Sequence, residues 1–296
     1  MSNFHAPVLL EEVIKGLEVK EGGTYIDATI GGGGHGIEIL KLGGKVLGID
    51  QDPEALEYAN ENIKYQISNI KKEEKRKNWK LIRGNFRNVE KIAKENDFSE
   101  VDGILFDLGV SSYQLDTPQR GFSYRYDGPL DLRFDQSQTV TAGDIVNRSS
   151  EDQLYEIFAR FGEEQLARPL AHAIALSRRM KPILTTGDLV TVMSGLVRDK
   201  NQLSATLSRV FQSLRIAVND ELTALKEGLK GAERLLKPGG RLAVISFHSL
   251  EDRVVKQAMQ GASWQVVTKH PILASDSEVV RNSRARSAKL RIATKI

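Results

Sequence analysis

Apolar positions come first in short runs along the chain and later in a helical rhythm. Segments 24–30, 45–49, 79–83 and 101–107 are short, apolar and partly β-branched, which predicts strands, with helical patterns between the first three. That alternation reads as α/β with a parallel sheet. From Ser150 to about Ala232 the pattern is helical. Leu154, Ile157, Phe158 and Phe161 fall at i, i+3, i+4 and i+7 behind Ser150, which is placed to cap. A long helix carrying Phe211, Leu214, Val218, Leu222, Leu225 and Leu229 then stops at Lys237-Pro238-Gly239-Gly240, because proline and glycine end helices. Strands return at 240–247, near 264–268 and at 290–293. The simplest account is a sheet domain interrupted by a helical insert.

Composition changes this picture mainly by exclusion. With 296 residues, 40% hydrophobic and 27% charged, the chain can bury an ordinary core. Its 42 basic and 39 acidic residues give a net charge of +3, which permits a polyanionic partner without demanding one. The cysteine count of zero removes disulfides, thiolate metal sites, iron–sulfur clusters and cysteine nucleophiles. No stretch approaches the roughly 18 apolar residues of a membrane span, and the start lacks a secretory pattern, so a cytoplasmic protein is expected. The charge run Lys71 to Lys77 reads as a solvated helix end or loop.

Candidate chemistry begins at Tyr25-Ile26-Asp27-Ala28-Thr29-Ile30-Gly31-Gly32-Gly33-Gly34-His35-Gly36, a strand running into glycines and then a helical pattern. Such a loop lies at the carboxyl edge of a doubly wound sheet, where glycine admits a ligand to the backbone and the helix start favours an anionic group. The Walker sequence is missing. Gly31, Gly33 and Gly36 satisfy G-x-G-x-x-G, which leaves nicotinamide, flavin and adenosylmethionine all open. Asp50 closes the second strand, where a carboxylate can accept from both hydroxyls of a ribose or cap the helix after Pro53. Asp107 ends the fourth strand and Phe86 follows the third, so Gly33, Asp50, Phe86 and Asp107 converge on one edge. Phe86 can pack on an adenine or serve as plain core, and a buried Asp107 needs a partner. The turn Leu236-Lys237-Pro238-Gly239-Gly240-Arg241-Leu242 resembles the one before strand five in adenosylmethionine-dependent enzymes.

Nearly end to end, the chain resembles the MraW/RsmH family of small-subunit ribosomal RNA (cytosine-N4)-methyltransferases. The resemblance rests on His5-Ala6-Pro7-Val8-Leu9-Leu10, Gly33-Gly34-His35, Asp107-Leu108-Gly109-Val110-Ser111-Ser112, Gln114-Leu115-Asp116, Arg120-Gly121-Phe122-Ser123, Asp127-Gly128-Pro129-Leu130-Asp131, Phe211-Gln212-Ser213-Leu214-Arg215, Ser246-Phe247-His248-Ser249-Leu250-Glu251-Asp252 and Arg284-Ala285-Arg286-Ser287. It implies a Rossmann-like, seven-stranded methyltransferase sheet formed by residues 1–112 and 216–296, with an all-helical substrate-recognition insert at 113–215. It implies S-adenosyl-L-methionine as cofactor and, as substrate, the exocyclic N4 amine of a cytidine in the decoding region of 16S ribosomal RNA, free or in the assembling small subunit; no metal is expected, since the histidines other than His35 and His248 show no metal-ligand spacing. Cofactor contacts carried over are Gly33, Gly34, His35, Asp50, Phe86, Asp107 and Gln114.

An amine target agrees with the lack of cysteine, since methylation at carbon five of a pyrimidine generally uses a thiolate. Catalysis is then expected to be positioning plus stabilisation of charge developing on nitrogen, with Asp107, Ser111 and Ser112 nearest in sequence to accept from the amine. The prolines of the Asn/Asp-Pro-Pro-aromatic motif of other amine methyltransferases are absent after Asp107. Ser249 and Asp252 fit a capping box, which leaves His248 as a packed histidine or a substrate contact. Arg120, Phe122, Tyr124, Arg125, Tyr126, Arg133 and Phe134 interleave cations and aromatics, either to hold RNA or to pack a linker. The basic tail, with Arg284 and Arg286, reads as phosphate contact or a solvated strand edge.

Overall fold

The computed structural model describes residues 7–67 and 78–296, without the side chain of Ser112. His5, Ala6 and the Lys71 to Lys77 charge run lie outside the described residues. By its internal packing the chain divides into two units, residues 1–109 with 222–296, and residues 110–221.

The first unit carries an eight-stranded sheet built from β1 (Thr24–Asp27), β2 (Lys45–Asp50), β3 (Trp79–Arg83), β4 (Val101–Asp107), β5 (Leu236–Ser246), β6 (Trp264–Val266), β7 (Ile272–Leu273) and β8 (Lys289–Lys295). The order is β3-β2-β1-β4-β5-β8-β6, with β7 paired to β8 off this path. Strands β1 to β5 run parallel and β8 runs antiparallel between β5 and β6. The expected seven strands are therefore present as one ordered row, and the two-residue β7 is an addition too short to carry a period of its own. Central strands are buried on both faces, which is why Val46, Leu47, Ile49, Ile104, Leu105 and Phe106 read as unbroken apolar runs. The strand order reverses at β1, so the crevice between the carboxyl ends of β1 and β4 is where ligands of such sheets dock.

Helices α1 (Leu10–Leu17), α2 (Gly34–Lys41), α3 (Pro53–Ile67) and α4 (Val89–Glu95) belong to this unit. The second unit contains α5 (Ser112–Asp116), α6 (Ala142–Arg148), α7 (Glu151–Gly162), α8 (Ala167–Met180), α9 (Thr186–Leu196) and α10 (Lys200–Asn219). The sheet unit then resumes along α11 (Glu221–Leu235), α12 (Ser249–Ala258) and α13 (Asp276–Arg281). The helical unit has its own core, including Phe158, Leu170, Ile174, Leu189, Val210 and Leu214. Ser150 caps α7 as its sequence position suggests, accepting from the Gln153 N–H at 3.1 Å.

The single long helix expected across Phe211 to Leu229 is two helices. Asp220 sits between α10 and α11 at φ 48, in the left-handed region that Asp tolerates better than most residues. The apolar stripe divides there. Phe211, Leu214 and Val218 pack in the helical core, whereas Leu225 and Leu229 pack in the core beneath the sheet. Asn219 fixes the end of α10: its Oδ1 accepts from the Phe134 N–H and its Nδ2 donates to the Leu132 carbonyl, both at 2.8 Å. By packing, the helical unit runs from Val110 to Glu221. Helix α11 ends at Leu235, and Pro238 and Gly239 fall in the irregular start of β5 rather than at the helix stop itself. No helix among the described residues is long and apolar enough to cross a membrane.

Candidate active site

The chain after β1 turns through Gly31 (φ 48) and Gly33 (φ 84) before α2 begins, conformations that a side chain would strain. A Cβ on Gly34 would lie 3.0 Å from the Pro7 ring, a tight contact where the N-terminal segment crosses the loop. Asp50, at the end of β2, braces this loop. Its Oδ2 accepts from the Gly31 N–H at 3.0 Å and its Oδ1 from the Asp52 N–H at 2.9 Å. The local turn before α3 is served by Asp52, which accepts from the Glu54 N–H at 3.1 Å. Asp50 therefore retains acceptor capacity for a ligand hydroxyl, and burial raises its pKa to about 6.

Asp107 ends β4 beside β1. Its backbone N–H donates to Thr29 Oγ1 at 2.6 Å, its Oδ2 lies 3.8 Å from His35 Nδ1, and its Oδ1 is buried without a hydrogen-bond partner among the described residues. Burial first, then the nearby Asp27 and Glu251 carboxylates, hold its pKa well above the usual range. Asp27, buried at the end of β1, is pushed up to about 7, again mainly by burial. Asp27, Asp50 and Asp107 have no lysine or arginine partner among the described residues, so three carboxylates share one edge with no cation of the protein's own. Asp27 was not singled out from sequence, although closing its strand as Asp50 and Asp107 close theirs is the signal that would have found it. His35 is buried, with Nε2 3.0 Å from the Val8 carbonyl.

Phe86 stands half-buried after β3, edge-on to Phe106 with ring centroids 5.7 Å apart, so much of its ring serves the core. Beside it Asn85 donates to Gln51 Oε1 at 3.1 Å. At the end of β5 the helix cap falls one residue before the expected Ser249. His248 is the N-cap of α12, its Nδ1 accepting from the Glu251 N–H at 3.3 Å, while the Glu251 carboxylate accepts from the Phe247 N–H at 2.8 Å. A ring nitrogen replaces the usual hydroxyl as acceptor, a possibility that a search for Ser and Thr caps passes over. The His248 Nε2 lies 3.0 Å from Glu251 Oε1, which favours the packed-histidine alternative.

In the helical unit, Ser111 caps α5. Its Oγ accepts from the Gln114 N–H at 3.2 Å, and Gln114 Oε1 accepts from the Ser111 N–H at 3.1 Å. Gln114, expected at the cofactor, is thus committed in part to shaping this turn. The interleaved segment divides sharply between inside and outside. Arg120 is 3% exposed and donates to the carbonyls of Arg133 and Phe134, and buried Phe122 stacks on Phe134 at 5.3 Å. Arg133 forks onto Asp131 through two contacts of 2.7 Å and donates to the Gln136 and Gln138 carbonyls. Of the expected RNA contacts, Arg120 and Phe122 are buried and Arg133 is partly buried on Asp131, whereas Arg125 and Tyr126 are exposed. In the tail of the sheet unit, Arg291 is spent on Asp252 at 2.6 Å, Arg284 is half-buried and Arg286 is exposed.

The fold and this carboxylate-lined edge define a Rossmann-like methyltransferase. The model of the MraW methylase family matches residues 2–296. A relative from Symbiobacterium thermophilum named Ribosomal RNA small subunit methyltransferase H is 41% identical over 322 residues, covering 100% of this chain and 98% of the relative. The chain belongs to the MraW methylase family. Solved structures match more loosely. TrmN from Thermus thermophilus aligns over 97% of this chain and 48% of its own at 13% identity, with a TM-score of 0.45. SMU.1697c from Streptococcus mutans, solved in complex with SAH, aligns over 99% and 100% at 15% identity, with a TM-score of 0.43.

Proposed function

We propose that this chain transfers a methyl group from S-adenosyl-L-methionine to the exocyclic N4 amine of a cytidine in the decoding region of small-subunit ribosomal RNA. The observation that carries the cofactor half is the buried, unpartnered oxygen of Asp107 among carboxylates that lack a cation. A ligand that brings positive charge and hydroxyls fits that set of acceptors. A nicotinamide dinucleotide, whose pyrophosphate is anionic, fits an acidic edge less well. When bound, S-adenosylmethionine supplies an electrophilic methyl group on a sulfonium centre.

The chain's own residues supply placement. The Gly33-Gly34-His35 backbone admits the cofactor closely, Asp50 accepts from ribose hydroxyls and Phe86 offers the exposed part of its ring to the adenine; the family resemblance adds Gln114 as a further contact. Asp107 offers its free oxygen to a cationic or amine hydrogen. Ser111 keeps a hydroxyl hydrogen and a lone pair beyond its capping bond for the target amine, and Ser112 is the next hydroxyl residue in the sequence. With no cysteine, the chain lacks the thiolate that carbon-five methylation of a pyrimidine calls for, which supports an amine as target. Ribosomal RNA as substrate is supported by the relative's name and by exposed Arg286 at the tail, with Arg284 beside it.

Transfer of labelled methyl to small-subunit RNA, or to subunits lacking the modification, followed by nucleoside analysis, tests the whole reading. N4-methylcytidine is the expected product. A methyl group on carbon five or on a purine overturns the target, and binding without transfer makes the chain an assembly factor instead.

A further inference from the structure

The Val8 carbonyl can only accept a hydrogen bond, so the 3.0 Å contact requires His35 to carry hydrogen on Nε2. A neutral imidazole in that tautomer presents a bare lone pair at Nδ1, and this nitrogen faces Asp107 Oδ2 at 3.8 Å. An ionised Asp107 would also present only lone pairs. Two acceptors facing each other where water is scarce repel, and one proton on either atom removes the repulsion. The surroundings favour keeping it, because the charged groups that bear on Asp107 are Asp27 at the end of β1 and Glu251 in α12, both acidic. His248 accompanies Glu251 rather than Asp107. Burial lowers the His35 pKa to about 4 and raises that of Asp107, which favours the carboxylate over the ring as the seat of the proton.

We propose that Asp107 and His35 hold one exchangeable proton between them, and that a cationic ligand docking at this sheet edge expels it. The site thereby reads the charge of its ligand. The inference rests on the cofactor reading above and adds a consequence: the sulfonium donor displaces the proton, whereas the demethylated product, whose sulfur is neutral, lets the pair take it back. Atoms balance simply, since the proton leaves the Asp107 oxygen for solvent buffer and no covalent bond to the ligand forms. Donor affinity should rise with pH, by at most about tenfold per unit for one proton released, and level off once the free pair has lost its proton.

Calorimetric titration of the full chain with S-adenosylmethionine and with S-adenosylhomocysteine, each in phosphate and in Tris at the same pH, counts the protons released. The expected result is more protons released by the donor than by the product, with the excess abolished in Asp107→Asn. Nitrogen-15 spectra of His35 in the free protein give a check that needs no ligand and no variant. Hydrogen on Nε2 is expected, and a neutral ring with hydrogen on Nδ1 overturns the inference, because that hydrogen would serve an ionised Asp107 directly. Binding with equal proton release for the two ligands overturns the inference alone. Failure of both ligands to bind overturns the cofactor reading and this inference with it.

Discussion

Asp50 accepts the Gly31 N–H at 3.0 Å, so the residue that closes β2 also holds the glycine loop that follows β1. One carboxylate thus serves two ends, bracing the loop and keeping lone pairs for a ligand. Replacing Asp50 with alanine leaves the Gly31 and Asp52 N–H groups without their acceptor, and each unsatisfied buried donor costs about 1–3 kcal/mol. Cofactor affinity should fall by about tenfold or more in equilibrium dialysis, and the melting temperature should fall with it. Unchanged affinity would remove Asp50 from the site.

Asp27 makes the free protein sensitive to alkali rather than to acid. Its pKa is raised from 3.8 to about 7, so the folded state binds the proton more tightly than the unfolded chain. That stabilisation is full below pH 3.8 and is lost as pH rises through 7. Asp27→Asn keeps an oxygen for the Thr29 N–H, seen at 3.3 Å, and removes the charge. The variant should be more stable than the parent at pH 8, by up to about 4 kcal/mol, with little difference at pH 4. Denaturant unfolding at the two pH values measures this, and equal effects at both would show that the Asp27 charge does not matter.

Much of the sheet unit could be read from the chain because parallel strands buried on both faces appear as apolar runs and their ligand-edge residues sit at strand ends. Asp50 and Asp107 were visible by that rule, and Asp27 obeys it too. The break at Asp220 was invisible because one left-handed residue preserves the three- and four-residue spacing, so Phe211 to Leu229 looks like one stripe although it feeds two cores. Arg120 was open to two readings for a different reason. An arginine that donates to buried carbonyls and one that meets a phosphate have the same sequence, and only the packing of Phe122 on Phe134 separates them.

Asn219 joins the end of α10 to the segment at Leu132, a residue held at φ 62. Changing Asn219 to alanine strands the Phe134 N–H and the Leu132 carbonyl, at a cost of about 2–4 kcal/mol. The helical unit should become the first part to open, with faster proteolysis inside residues 110–221 and slower change in the sheet unit. Uniform loss of protection across both units would deny Asn219 this local role.

Tyr126 is 50% exposed, yet its backbone is held: its carbonyl accepts from Thr186 Oγ1 at 2.8 Å, and the neighbouring Asp127 accepts from the Gly187 N–H at 2.9 Å. A ring fixed at its base and open at its face can stack an unpaired base without ordering a flexible loop, and exposed Arg125 adds a cation beside it. Stacking is worth about 1–3 kcal/mol per base, so Tyr126→Ala should weaken binding of small-subunit RNA by about tenfold while leaving the melting temperature unchanged. Tyr126→Phe should retain most of the affinity. Arg133→Ala should do the reverse of Tyr126→Ala, lowering stability because Asp131 loses its two-point partner, with RNA affinity per folded molecule preserved. Filter binding alongside thermal unfolding separates the two, and an RNA defect in Arg133→Ala without any loss of stability would make Arg133 an RNA contact.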